Sequence, residues 1–215
     1  LFEHAMKNSF LNYLAAEPCV VYMNGDYFGV YWQYENDDHN FVNNNYGFKK
    51  TQIDLLKESR YLETRQGSDT GFFALYNYVL ATSPPDPNFY ATVDSQFDLQ
   101  NLTDYFAVET YMNNADWIGP WTNNVKLWRP NSPTIGKWKY ILYDLDQCFG
   151  LNSNWTDNAI NRARHPVDDS YQSPIFDALC NNPIFKKYFI NRYADLINTA
   201  FLPSKMIPYA YALRD

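Results

Sequence analysis

The sequence predicts an α+β fold, and three observations carry that prediction. An Asn-Gly pair sits between two β-rich runs, Cys19–Met23 and Tyr27–Tyr34. A second pair of short strand-like runs, Val125–Trp128 and Trp138–Tyr143, leads directly into Asp144-Leu145-Asp146. Between and after these pairs the apolar residues recur at helical spacing, with no internal repeat and no low-complexity linker. With 215 residues, 46% hydrophobic and 19% aromatic, the chain can bury a sizeable core, which argues against disorder.

Taken in order, the first predicted element is a helix over Leu1–Leu14, from the spacing of Phe2, Ala5, Met6, Phe10 and Leu14. Pro18 blocks its continuation. The chain opens inside this helix, so further sequence is expected upstream. Asn24-Gly25 then predicts a tight hairpin, because a type I′ turn needs positive φ at both central residues. The polar stretch 36–45 predicts a loop with a short helix. Ser68–Ala81 reads as a helix with Phe72, Leu75, Tyr76, Val79 and Leu80 on its apolar face, and Pro84, Pro85 and Pro87 force a loop after it. Asn101 is the expected N-cap of a helix from Leu102 to about Met112. Asn113–Thr122 must be irregular, since it holds Gly119 and Pro120. In the second strand pair, Lys126 and Arg129 alternate with Leu127 and Trp128 as on a strand with one wet face. Phe185, Tyr188, Phe189, Arg192, Tyr193 and Leu196 mark a C-terminal helix.

Charge and cysteine usage narrow the function classes. The formal charge is −7 and no dense Lys/Arg run appears, which ranks nucleic-acid binding low. The balance weakly favours a basic partner. Cys19, Cys148 and Cys180 form no Cys-x-x-Cys pair, and the three histidines are scattered, so neither zinc nor a disulfide framework is expected. Cys19 is expected as a buried thiol. No apolar run is long enough for a membrane span, and no signal peptide is visible.

The chemical signal lies between Asn113 and Gly150. Asp116 follows a helix into a loop, Asn124 opens a strand, and Asp144 and Asp146 follow another. Strand ends can project several oxygens into one small space. Two carboxylates and an amide oxygen suit Mg²⁺, and a third carboxylate nearby can position an attacking hydroxyl. By pattern alone, Asp144-Leu145-Asp146 reads at least as well as an ordinary strand cap.

Three segments together resemble the CotH kinase family, named for a bacterial spore-coat kinase. They are Val21-Tyr22-Met23-Asn24-Gly25-Asp26-Tyr27-Phe28-Gly29-Val30-Tyr31-Trp32, closing at Glu35; Asn114-Ala115-Asp116-Trp117 with Asn123-Asn124-Val125-Lys126-Leu127-Trp128-Arg129; and Tyr143-Asp144-Leu145-Asp146-Gln147-Cys148-Phe149-Gly150. The helical tail is also similar. The resemblance implies a divergent, two-lobed protein-kinase-like fold, with 1–35 the remainder of a small lobe and 36–215 a mostly helical large lobe. It implies ATP and Mg²⁺ (or Mn²⁺) as cofactors, transfer to a protein Ser or Thr hydroxyl, and a secreted or coat-associated setting. Asp116 would match the catalytic Asp and Glu35 would lie near the adenine hinge. Asn124 with Asp144, Asp146 or both would hold metal and nucleotide. Asn124 follows Asp116 by eight residues, longer than the family spacing, and an insertion around Ile118–Trp121 accounts for it. The phosphate-gripping Lys and any glycine-rich loop are expected upstream of Leu1, which would leave this stretch inactive by itself.

Several residues keep two readings. Glu35 contacts nucleotide or simply ends a strand. Glu3 pairs with an upstream Lys or is a solvated helix residue. Glu109 braces the loop at Asp116 or lies at the surface. Trp117, Trp121 and Trp128 stack on a ligand or pack in the core. His39 and His165 read as surface residues. The Asn-x-Thr triplets at Asn101 and Asn154 are better explained by capping or chance than by glycosylation. A non-catalytic surface or adhesion module on the same fold is the rival function, and a metal-dependent phosphoesterase is a third.

Overall fold

A computed structural model describes Met6 and residues 9–119, 122–167 and 169–214. The fold is mixed α+β. A five-stranded sheet runs in the order β1-β7-β6-β4-β5. Its strands are β1 (Asn12–Tyr13), β4 (Ile53–Ser59), β5 (Tyr61–Gln66), β6 (Val125–Pro130) and β7 (Lys139–Leu142). A separate two-stranded sheet is made by β2 (Ala16–Met23) and β3 (Asp26–Tyr34). The helices are α1 (His39–Tyr46), α2 (Thr70–Ala81), α3 (Phe89–Gln96), α4 (Leu99–Tyr111), α5 (Ala159–Arg164), α6 (Gln172–Asn181), α7 (Pro183–Asn198) and α8 (Pro203–Arg214).

The β2–β3 hairpin forms as the sequence predicts, with Asn24 at φ 53° and Gly25 at φ 92°. Both faces are open, and Val20, Tyr22, Tyr27, Phe28, Val30, Trp32 and Tyr34 are all exposed. The large sheet is buried instead. One face packs on α2, α4 and α6 through Leu56, Leu127, Tyr140, Phe72, Phe106 and Phe176. Tyr105 and Tyr140 stack at 4.3 Å at the centre of this layer. The other face meets α1 through a smaller cluster of Phe41, Val42, Ile53, Leu55, Trp128 and Ile141.

Five expectations need correction. The predicted helix over Leu1–Leu14 falls partly outside the described residues, and its far end is the strand β1. That strand pairs in parallel with β7, because Asn12 finds a buried acceptor in the Tyr140 carbonyl at 3.0 Å. The cap of α4 is Asp98, whose side chain accepts from the Asn101 amide. Asn101 lies within the helix, buried, and its amide group bonds Tyr140 on both sides of the peptide, which rules out capping there. Lys126 and Arg129 do not face water. Both strand faces are covered, and each cation is held by a carboxylate, Asp37 for Lys126 and Asp54 for Arg129 at 2.9 Å. Cys19 is half-buried because the hairpin has no covering layer. Finally, β4, β5 and α3 had no predicted counterpart. In β4 both faces are buried, so its apolar and charged residues do not alternate in the period that marks a half-buried strand.

The helical layer is tied together by buried charge. The Arg192 guanidinium grips the fully buried Asp104 carboxylate in a bidentate pair at 2.7 and 2.9 Å, joining α7 to α4. Asn182 caps α7 by accepting from the Ile184 and Phe185 amides, with Pro183 at the first helical position.

Candidate active site

The site is assembled where α4 runs out against the end of β7. Asn113, at φ 51°, reverses the chain after α4. Asn114 then turns inward and is fully buried. Its Nδ2 donates to Glu109 Oε2 at 2.9 Å, and its Oδ1 accepts the Asp116 backbone amide at 3.1 Å. Arg162 on α5 donates to the Asn114 carbonyl at 2.8 Å. The loop is also laced to the segment after β7. Ala115 donates to the Gln147 carbonyl at 3.0 Å, and Phe149 donates to the Met112 carbonyl at 3.0 Å.

Beyond Asp116 the chain makes an excursion and returns. Trp117 and Ile118 drop into the core, where the Trp117 indole donates to the Tyr105 hydroxyl at 3.0 Å. Trp128 is likewise buried, so both tryptophans pack in the core; Trp121 lies outside the described residues. On its return the chain brings two amides onto Asp116. Asn123 Nδ2 donates to Oδ1 at 3.3 Å and Oδ2 at 3.1 Å. Asn124 Nδ2 donates to Oδ2 at 3.0 Å and to the Asp116 carbonyl at 3.1 Å. The long spacing between Asp116 and Asn124 is thus absorbed by the loop, and the two residues touch. Asn124 uses its amide hydrogens on Asp116, and its Oδ1 has no donor among the described residues.

A cavity of about 720 Å³ opens in front of this loop. Its lining includes the polar Asn124, Asp144, Asp146, Asp37 and Lys57 and also Met6, Leu14, Tyr34 and Leu142. Asn124 (φ 53°) and Asp144 (φ 56°) both adopt the left-handed conformation. Asn and Asp tolerate it better than other side-chain-bearing residues, yet such strain persists only where the surroundings enforce it. Burial raises the Asp144 pKa above the ordinary carboxylate range. The Asp146 and Asp116 charges push it further up, Lys57 opposes them, and Asp37 adds to the rise.

The predicted residues therefore divide. Asn124, Asp144 and Asp146 share the cavity, and Asp116 stands behind Asn124, half-buried and outside the lining. Glu35 is not among the lining residues, although its neighbour Tyr34 is. The Glu35 carboxylate accepts from Asn45 Nδ2 at 2.7 Å and the Ala15 amide at 3.3 Å, fastening the hairpin base to α1. Glu3 lies outside the described residues. Glu109 is fully buried, and desolvation raises its pKa to about 8, moderated by the Asn114 hydrogen bond and the Arg162 charge. It is the bracing acid of the two readings, one residue removed from Asp116. Among the described residues, no three His, Cys, Asp or Glu side chains gather into an all-protein metal cage.

Sequence reasoning missed Lys57, Asp37 and Lys126. Lys57 lines the cavity from β4, and Lys126 Nζ donates to the Asp37 carbonyl at 2.7 Å and pairs with its carboxylate. The signal for Lys57 was the run Ile53-Asp54-Leu55-Leu56-Lys57-Glu58, in which charges interrupt an otherwise apolar strand.

Among the described residues no helix is long and apolar enough to cross a membrane. The family model described as CotH kinase protein matches residues 2–215. No curated protein matches the chain.

Proposed function

This chain belongs to the CotH kinase family, and we propose that it transfers the γ-phosphoryl group of ATP to a Ser or Thr hydroxyl of a protein, with Mg²⁺ or Mn²⁺. One observation carries the reading. Asn124, which lines the cavity together with Asp144 and Asp146, is in direct hydrogen-bond contact with Asp116 behind it. In this reading residues 1–35 belong to a small lobe and 36–215 to a large one, with Tyr34 and Asp144 facing the same space.

The donor set fits a hard divalent cation. Asp144, Asp146 and the undonated Asn124 Oδ1 are all oxygens, and Mg²⁺ is commonly held by one or two carboxylates with water and phosphate completing the shell. Burial raises the Asp144 pKa and the Asp146 and Asp116 charges add to the rise, and a cation relieves that repulsion. When bound, the metal neutralises charge on the phosphate oxygens. The chain's own residues do the rest. Asp116 accepts or orients the proton of the incoming hydroxyl, and its carboxylate is aimed by Asn123 and Asn124. Glu109 and Asn114 hold the Asp116 backbone. The apolar lining of Met6, Leu14, Tyr34 and Leu142 suits a purine.

The test is calorimetry of ATP with and without Mg²⁺, paired with mass spectrometry of a Ser/Thr-containing acceptor protein. Metal-dependent binding and a phosphorylated acceptor support the reading. Phosphate release with no modified acceptor favours a phosphoesterase. Absence of ATP binding favours a non-catalytic surface module, to which the exposed aromatic hairpin faces lend themselves. A secreted or coat-associated location belongs to the same proposal and is supported by family membership alone.

A further inference from the structure

Two peptide units precede Asp116, and the fold fixes both. In the unit between Asn114 and Ala115, the N–H donates to the Gln147 carbonyl at 3.0 Å, and the C=O accepts from Arg162 Nη2 at 2.8 Å. In the next unit, the Asp116 N–H donates to Asn114 Oδ1 at 3.1 Å. The second contact is local. The first unit is gripped by two distant segments, since Gln147 follows β7 and Arg162 lies on α5. A peptide unit is planar, with its N–H and C=O on opposite edges. Holding both edges sets the orientation of the plane, and with it the direction in which the Asp116 side chain leaves the backbone.

Arg162 is built for this contact. Its helix is capped by Asn158, whose side chain accepts from the Asn161 amide, and is sealed to the core by Ala159 and Ala163. Arg65, Arg129, Arg164 and Arg192 each pair with a carboxylate. Among the described residues Arg162 has no such pair and gives its guanidinium to a main-chain carbonyl. The charges of Asp157 and Glu109 act on it through space and oppose the burial that lowers its pKa. Its stem also runs along the loop beyond Asp116. A Cβ at Gly119 would stand 3.1 Å from Arg162 Cδ and 3.4 Å from Nε, so the arginine fills the space a side chain there would need. One side chain thus meets the loop on both sides of Asp116, and a charged donor makes the stronger kind of hydrogen bond.

We infer that Arg162 is a positioning residue, which acts through the Asn114 carbonyl to fix the aim of the Asp116 carboxylate. The inference rests on the phosphoryl-transfer reading given above. Arg162 does not line the cavity, so its effect runs through the loop and not through nucleotide binding. Misplacing a reacting group by about 1 Å can cost about 10²-fold in rate.

The experiment uses the whole chain and places Arg162→Met and Arg162→Lys in the parent and in the Asp116→Asn background. Arg162→Met should lower single-turnover transfer to a Ser/Thr-containing acceptor about 10²-fold, with Mg·ATP affinity by calorimetry within about twofold of the parent. Arg162→Lys keeps a charged donor and should recover part of the rate. In the Asp116→Asn background Arg162→Met should change transfer less than about threefold, because residues that act as a unit are not additive. Hydrogen exchange read by mass spectrometry should quicken over residues 113–118 and stay parent-like in α4 and α6. Three results overturn the inference: parent-like transfer in Arg162→Met, the same loss in both backgrounds, or exchange that quickens across α4 and α6 as well. The last two would make the arginine a general support of the fold. The two readings fail separately. Exchange that quickens only over 113–118 in a chain whose parent transfers no phosphate upholds the clamp on the Asp116 loop and removes the transfer reading. Transfer by the parent that is indifferent to Arg162 does the reverse.

Discussion

The Asn124 side-chain amide bonds Asp116 twice, to the carboxylate Oδ2 at 3.0 Å and to the main-chain carbonyl at 3.1 Å. Asn124 lies eight positions after Asp116, yet the contact holds Asp116 by its side chain and its backbone at once. It also leaves the Asn124 Oδ1 free of Asp116, so that in the proposed reading the acceptor of the hydroxyl proton and a metal ligand form one unit.

Asp116→Asn should lower phosphoryl transfer by about 10²–10⁴-fold, the range for a lost general base. Mg·ATP affinity should stay near that of the parent, because Asp116 is outside the cavity lining. Single-turnover transfer and calorimetry measured together decide this. Unchanged transfer removes Asp116 from the mechanism.

Asp144→Ala and Asp146→Ala should both weaken Mg·ATP, at least one of them severely, because each removes an oxygen ligand and a charge. The raised Asp144 pKa adds a pH signature. A proton competes with the metal at higher pH than at an ordinary carboxylate, so Mg·ATP affinity should decline early on acidification. Parent-like affinity in both variants would reduce the pair to a strand cap.

Glu109→Gln tests the brace. The Glu109 pKa rises from 4.5 to about 8 on folding. Between those values the folded state binds the proton more tightly than the unfolded one, so stability falls as pH rises through the window. Gln avoids the buried charge and can still accept from Asn114. Its denaturant midpoint should therefore exceed the parent's at pH 8 and converge with it near pH 4.5. A gap that is constant across pH would contradict a buried, ionising Glu109.

Arg192→Ala should cost about 3 kcal/mol or more, because it strands the fully buried Asp104 carboxylate between α4 and α7. Urea unfolding of parent and variant measures it. Asp104→Asn with Arg192→Met together should recover part of the loss, since removing both charges avoids the unpaired one. A single-variant cost below about 1 kcal/mol would place the pair among ordinary surface bridges.

The local rules were legible in the sequence. Asn24-Gly25 has one cheap solution, positive φ at both residues, and the hairpin follows without reference to anything else. The apolar spacing of α2, α4 and α7 and the run of motifs from Asn114 to Gly150 could be read in the same way. They singled out Asp116, Asn124, Asp144 and Asp146 as candidates and pointed to the family to which the chain belongs. The tertiary structure decided what depends on distant partners. Asn12 and Tyr13 became a strand because β7 offered them an edge, and Asn101 became a buried linchpin because Tyr140 came to lie beside it. Lys126 was dried because Asp37 met it, and Glu109 was neutralised by burial under the loop it braces. Lys57 carries only a faint local signature, a charge interrupting an otherwise apolar strand. Its meaning comes from facing Lys126 across a ladder and opening onto the acidic cavity, and linear sequence does not encode which charges share a low-dielectric space.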